Sequence, residues 1–253
     1  MRNGRLVIGM LTPSSNTVLE PVTSAMLAEV EGASAHFSRF RVTQIGLSEA
    51  ALSQFDDRPI LEAASLLADA DVDVIAWNGT SGGWLGFEAD RRLCERITSE
   101  TGKPATTSVL SLLEAFERAG VKRFGLVTPY TGDVQSRIMD NFAEAGFQCV
   151  SERHAGIQIN AEFSGVGSQW IRDMVRRSAS EGEPQVITTF CTNLRAAPLV
   201  DEMEREINLP IYDTVATSVW KCLKIAQADP TQVTGWGQLF RLDAPKTDLA
   251  GRI

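Results

Sequence analysis

Apolar and polar positions along the chain follow two periods. Short runs of mostly apolar residues occur at RLVIGML (5–11), VDVIAW (72–77), GLVTP (125–129) and QVITTF (185–190). Such runs, bounded by turn residues, read as strands buried on both faces. Between them lie segments with apolar residues three and four apart. These predict helices over 17–30, 60–70, 88–102 and 108–120. In the second, Leu61, Ala64, Leu66 and Leu67 fall near one face, and Gly102 and Gly120 close the last two. AHFSRFRV (35–42) and KPATT (103–107) read as further strands. Strands that alternate with helices predict an α/β fold with parallel sheets.

The pattern is written twice. GMLTP at 9–13 returns as GLVTP at 125–129, and DVIAWNGTSGG at 73–83 returns as QVITTFCTNLR at 185–195. GKPATTSVLSLLEAF at 102–116 returns as NLPIYDTVATSVWKCL at 208–223, with Pro104 on Pro210. The spacing between copies is far longer than a solenoid repeat. Two similar α/β lobes are expected, each with a short parallel sheet flanked by helices and with a cleft between them. An N-terminal lobe would span 1–118 and a C-terminal lobe 119–253. The tail at 239–253 lacks helical periodicity and would pack back on the first lobe or lie on the surface.

Ligands of open α/β sheets bind beyond the carboxyl ends of the strands. Two facing lobes would bring four loops to one cleft: TPSSN (12–16), NGTSGG (78–83), TPYTGD (128–133) and CTNLR (191–195). They offer backbone N–H groups, hydroxyls and amides near helix N-termini, which suits a carboxylate.

Composition narrows the functions. The 253 residues are 43% apolar and 22% charged, with net charge −8, which argues against nucleic acid. No apolar run is long enough to span a membrane. The N-terminal apolar run is short for a signal peptide and is read as the first strand. Cys94, Cys149, Cys191 and Cys222 show no CxxC or metal spacing, so reduced thiols in a cytoplasmic protein are expected. His36 and His154 are the only histidines, which leaves little for a metal site or a Ser-His-Asp triad. GTSGG lacks the lysine of a phosphate loop and the spacing of GxGxxG, so no nucleotide cofactor is expected.

Cys191 ends a strand and precedes the predicted helix AAPLVDEMERE. A nearby helix N-terminus would lower its pKa and suit it to nucleophilic or proton-transfer work. Gly79 holds the matching place in the first copy. Cys94 and Cys222 sit inside amphipathic helices and Cys149 in a strand, so these read as structural. Thr80 and Ser81 can donate to developing negative charge or cap a helix. Tyr130 can donate its phenol or simply pack. Asn16 and Asn160 can bind a carboxylate or set a turn. Arg39 and Arg41 share a strand face expected in solvent. Trp77, Trp84 and Phe87 add bulk near the first-lobe loop, for an apolar substituent or a packed interface.

These motifs resemble the aspartate/glutamate racemase superfamily, over nearly the whole chain from IGMLTPSSN to GWGQLF. PSSNTVLEP (13–21) and CTN (191–193) are similar to motifs of the maleate cis-trans isomerase branch. That likeness implies carboxylate binding by Asn16, Tyr130 and Asn160. The isomerase has a second cysteine where this chain has Gly79. GTS (79–81), TPYTGDV (128–134) and Cys191 resemble the arylmalonate decarboxylase branch, with glycine in the first lobe and one cysteine in the second. That likeness implies a dioxyanion hole of Thr80, Ser81, Tyr130 and the Thr192 backbone, with Cys191 as proton donor. The chain departs from that branch at Asn16, at the TN after Cys191, and at Asn160. The expected site is therefore catalytic Cys191 with Pro13, Asn16, Gly79, Thr80, Ser81, Tyr130, Asn160 and Thr192 around the substrate. The expected activity is cofactor-independent decarboxylation of a substituted malonate-type dicarboxylate. An isomerase or racemase acting on a small carboxylate, or a non-catalytic carboxylate binder, is the alternative. A small-molecule carboxylate is the expected partner, without metal, and a homo-oligomer stays open.

Overall fold

The computed structural model describes residues 5–244. The first half runs β1 (Leu6–Pro13), α1 (Leu19–Leu27), β2 (Ala33–Phe40), α2 (Glu49–Leu52), α3 (Asp57–Asp69), β3 (Val74–Trp77), α4 (Gly82–Leu85), α5 (Phe87–Thr101), β4 (Ala105–Thr107) and α6 (Ser108–Ala119). The second runs β5 (Arg123–Thr128), α7 (Gly132–Glu144), β6 (Gln148–His154), α8 (Ser168–Ala179), β7 (Val186–Thr189), α9 (Val200–Ile207), β8 (Ile211–Asp213) and α10 (Thr214–Ile225). Each half forms a four-stranded sheet, ordered β2-β1-β3-β4 and β6-β5-β7-β8. All pairings within them are parallel, and Gly9 pairs with Ile75 as Gly125 pairs with Ile187. The doubled sequence is thus a doubled sheet. The central strands β1, β3, β5 and β7 are buried almost throughout, as continuous apolar runs require.

Three details differ from the sequence pattern. Helix α1 is shorter than 17–30, because the Asn16 side chain accepts the N–H groups of Val18 and Leu19 and starts it there. Leu66 is exposed, while Ile60, Leu61, Ala64 and Leu67 form the inward face of α3. The helix expected right after Cys191 does not begin there. A 3-10 turn at Ala197–Leu199, containing Pro198, comes first, and α9 opens only at Val200.

The two sheets do not own separate cores. Phe116 on α6 packs against Phe124, Phe147 and Tyr212 of the second half. Helix α10 in turn packs on β3, β4 and α1 of the first half. The helices meet where Thr217 Oγ1 donates to the Ser108 carbonyl (3.1 Å) and Ser218 Oγ to Ser108 Oγ (3.0 Å). The expected lobe boundary at 118/119 falls inside α6. Within the tail, Asp243 accepts from Arg118 of α6 at 3.0 Å, and before it Thr234 donates to Glu29. The part of that tail beyond 244 lies outside the described residues. Among the described residues no helix is long and apolar enough to cross a membrane.

Candidate active site

The carboxyl ends of β3 and β7 meet at one hydrogen bond, from Thr192 Oγ1 to the Asn78 carbonyl (3.0 Å). This contact brings Gly79 of the first half and Cys191 of the second to the same cavity. The cavity is small, about 20 Å³, and is lined by Pro13, Val42, Ile45, Phe55, Trp77, Gly79, Thr80, Trp84, Tyr130, Asn160, Cys191 and Thr192. Most of the expected site residues are on that wall. Asn16 and Ser81 stand behind it. The Asn16 amide is spent on the start of α1 and on Thr192 Oγ1, to which its Nδ2 donates at 3.2 Å. Ser81 Oγ accepts the Trp77 indole N–H at 3.2 Å, and its side chain does not cap α4.

The polar half of the wall is a pair of hydroxyls beside the sulfur. Thr80 Oγ1 and the Tyr130 hydroxyl are 2.6 Å apart, and that hydroxyl is near enough to the Cys191 thiol to favour its ionisation. The Asn193 backbone N–H also points at Cys191 Sγ, 3.4 Å away. No residue on the wall is charged. A bound anion would therefore be met by neutral donors in a poorly hydrated space, where each hydrogen bond is strong.

Burial pushes the Cys191 thiol up to about 12, against the pull of hydrogen bonds from Tyr130 and Asn193, and Asp213 pushes it further the same way. The expectation of a lowered pKa rested on a helix N-terminus beside the sulfur, and α9 starts too far along the chain to supply it. Burial also raises the Tyr130 phenol well above its usual value. Both groups are neutral at pH 7. Since the folded value lies above that of a free thiol, Cys191 stays protonated between about pH 8 and 10, where an unfolded cysteine ionises. Iodoacetamide labelling of Cys191, mapped by mass spectrometry, is expected to show no inflection in that window and to run at least about tenfold slower at pH 8 than for a free thiol. A labelling midpoint at about 8.5, the ordinary thiol value, would contradict the site geometry.

The other half of the wall is apolar: Val42, Ile45, Phe55, Trp77 and Trp84. Trp84 stacks edge-on between Phe55 and Tyr130, at 5.7 and 5.5 Å. Sequence reading missed the 42–55 wall. Its only signal was that Val42 and Ile45 bracket polar residues just past a strand. This stretch is held by the second half, through Ile45 N to Gln158 O (2.9 Å) and Asn160 N to Thr43 O (3.0 Å). Asn193, read from the sequence only as part of the CTN motif, accepts the Thr17 N–H of the first half at 3.0 Å and donates to the Asn160 carbonyl of its own half at 2.6 Å. Arg39, expected in solvent, pairs with Glu20 and donates to the carbonyls of Ser14 and Asn16, both at 3.0 Å, which fixes the 13–16 loop. Among the described residues no three His, Cys, Asp or Glu side chains gather as metal ligands.

A paired-lobe α/β fold with a buried thiol where the sheets converge defines a class of small-carboxylate enzymes. The chain belongs to the arylmalonate decarboxylase family, whose model matches residues 8–240. It is 27% identical over 246 residues to the maleate isomerase of Pseudomonas putida, covering 92% of this chain and 96% of that protein. It is 24% identical over 234 residues to the arylmalonate decarboxylase of Bordetella bronchiseptica, covering 90% and 97%. Among solved structures, a cysteine-to-serine variant of Nocardia farcinica maleate cis-trans isomerase with a covalently bound succinylcysteine intermediate superposes with TM-score 0.87. Identity is 21%, covering 95% of this chain and 100% of that one. A liganded arylmalonate decarboxylase in which a glycine is replaced by cysteine and a cysteine by serine superposes with TM-score 0.81. Identity is 21%, covering 93% and 98%. The family therefore spans isomerases and decarboxylases of small dicarboxylic acids.

Proposed function

We propose that this protein decarboxylates a substituted malonate without a cofactor, with Cys191 as the proton donor. One observation carries the reading: the cavity holds a single thiol, buried and neutral, and its first-half counterpart is Gly79. The Nocardia isomerase carries its succinylcysteine in a variant that has lost one cysteine, so that enzyme has another to use. A covalent route of that kind needs a thiolate nucleophile. The Cys191 environment opposes a thiolate and favours a thiol that gives up its proton only to a strong base.

The retained carboxylate of the malonate binds Thr80, Tyr130 and nearby backbone N–H groups. The departing carboxylate faces Val42, Ile45 and Phe55, which solvate it poorly. Its C–C bond breaks, carbon dioxide leaves, and the electron pair stays on the α-carbon. That pair delocalises into the retained carboxylate as an enediolate, whose charge the two hydroxyls stabilise. Cys191 S–H then protonates the α-carbon. The resulting thiolate, at a pKa of about 12, recovers its proton from water. The net reaction consumes one proton.

A maleate isomerase-like reading is favoured by one feature, Asn160, whose amide lines the cavity and donates to Ser15 Oγ at 2.9 Å. Proton NMR in deuterated water separates the two. Phenylmalonate and maleate are offered in separate tubes, with Cys191→Ala as control. Deuterium at the α-carbon of a Cys191-dependent decarboxylated product is the expected result. Cys191-dependent fumarate from maleate, with phenylmalonate untouched, would overturn the decarboxylase reading in favour of the isomerase.

A further inference from the structure

Gly79 is required by its neighbour. A Cβ built at this position would lie 2.0 Å from Cζ2 of Trp77 and 2.5 Å from both Cε2 and Cη2. Real Cβ contacts are essentially never shorter than 3.0 Å. The indole edge therefore fills the space that any side chain at position 79 would occupy.

The indole has little freedom to withdraw. Trp77 is 1% exposed, its N–H is held by Ser81 Oγ, and its ring lies 4.8 Å from that of Phe40. Ser108 Oγ donates to its carbonyl at 3.3 Å, which anchors the end of β3. The same indole lines the cavity together with Gly79, Thr80 and Cys191. Its cavity-facing edge is apolar and brings no exchangeable proton, since the one N–H it has is engaged by Ser81.

We propose that Trp77 is a specificity-determining plug: its indole takes the place of a first-half acid or nucleophile and seals that side of the cavity, so that the proton arrives only from Cys191. This explains what Ser81 does from behind the wall: it holds the plug. The stereochemical part rests on the decarboxylase reading. The steric part does not. A consequence follows for conversion of this chain into a two-thiol enzyme. Gly79→Cys alone places its Cβ inside the indole, so the new thiol is displaced or the strand end distorts. The swap succeeds only when Trp77 is made smaller as well.

The test has two arms. In the first, Gly79→Ala, Trp77→Phe and the double variant are compared by urea unfolding. Phenylalanine keeps a ring but lacks the outer atoms that meet position 79. The loss in unfolding midpoint caused by Gly79→Ala is expected to fall by more than half in the Trp77→Phe background. Additive losses would overturn the proposal, and no substrate is needed to see them. Trp77→Val serves as the second background should the phenylalanine repack into the same space.

In the second arm, an α-methyl-α-arylmalonate is turned over and the enantiomeric excess of the product is measured. The wild type is expected to give one enantiomer. Trp77→Val is expected to lose most of that excess, and Ser81→Ala part of it. Gly79→Cys with Trp77→Val is expected to exchange the α-proton of the product for deuterium, and Gly79→Cys alone to exchange at least tenfold more slowly. An unchanged excess in Trp77→Val would overturn the sealing role. No turnover of any malonate by the wild type would sink the decarboxylase reading, and the unfolding arm would still decide where the indole sits.

Discussion

Cys191→Ala is expected to reduce turnover of a substituted malonate by about 10²–10⁴-fold, the range typical of losing a positioned general acid. The thiol is the proton source in the cavity whose position and protonation both suit the step. It lies near the Tyr130 hydroxyl, is faced by the Asn193 N–H, and is kept neutral by burial. Tyr130 is buried with its phenol raised well above the usual value, and its hydroxyl is engaged by Thr80 Oγ1. Binding should survive better than turnover, because Thr80, Tyr130 and the backbone donors remain. Carbon dioxide release, together with product-inhibition affinity, measures both. A variant within threefold of wild-type turnover would remove Cys191 from the mechanism. A wild type that binds carboxylates and turns none over would point to a binding protein. The fold itself should be little affected, since alanine removes one sulfur from a wall that already holds a cavity.

Asn193→Ala is expected to be the most damaging single change outside the reacting groups. The side chain joins the two halves through the Thr17 N–H and fixes the Asn160 loop of its own half through the Asn160 carbonyl. Removing it leaves the Asn160 carbonyl without that partner in a buried site, while the Thr17 N–H, on an exposed residue, can turn to water. At about 1–3 kcal/mol for the one buried group, the loss is about 1–3 kcal/mol. Urea unfolding should show the shift in midpoint with little change in slope. The same variant frees the 191–193 turn that aims the thiol and the Asn160 loop that lines the cavity. Turnover should therefore fall more than affinity for a carboxylate. A stability change below about 1 kcal/mol, the low end for a single such group, would mean that the halves are held together elsewhere, chiefly by the packing of α6 and α10.

Much of this molecule is written locally in its chain. Buried parallel strands must be continuous apolar runs, so VIAW and VITT were legible as strands. Their repetition in the same order with matching loops was legible as a doubled sheet. Polar loops at the ends of those strands are where such sheets bind ligands, so Thr80, Tyr130, Cys191 and Thr192 could be placed around a site before any coordinates. The absence of a thiol at Gly79 is equally plain.

The sequence did not show why position 79 must be glycine. That answer lies in a tryptophan two residues earlier, whose indole folds back over the glycine because Phe40 from β2 and Ser81 hold it there. It did not show the apolar wall of Val42, Ile45 and Phe55, which reaches the site only because the second half grips that segment. It pointed the wrong way on the Cys191 thiol, since a nearby helix start was inferred and burial was not. By itself the sequence determined which elements form, in what order, and which chemical groups stand at the strand ends, because periodicity and turn chemistry act over a few residues. Only the tertiary structure decided the shape of the cavity, the protonation of its thiol and the side from which a proton can come. Those depend on steric exclusion and desolvation summed over residues from both halves of the chain.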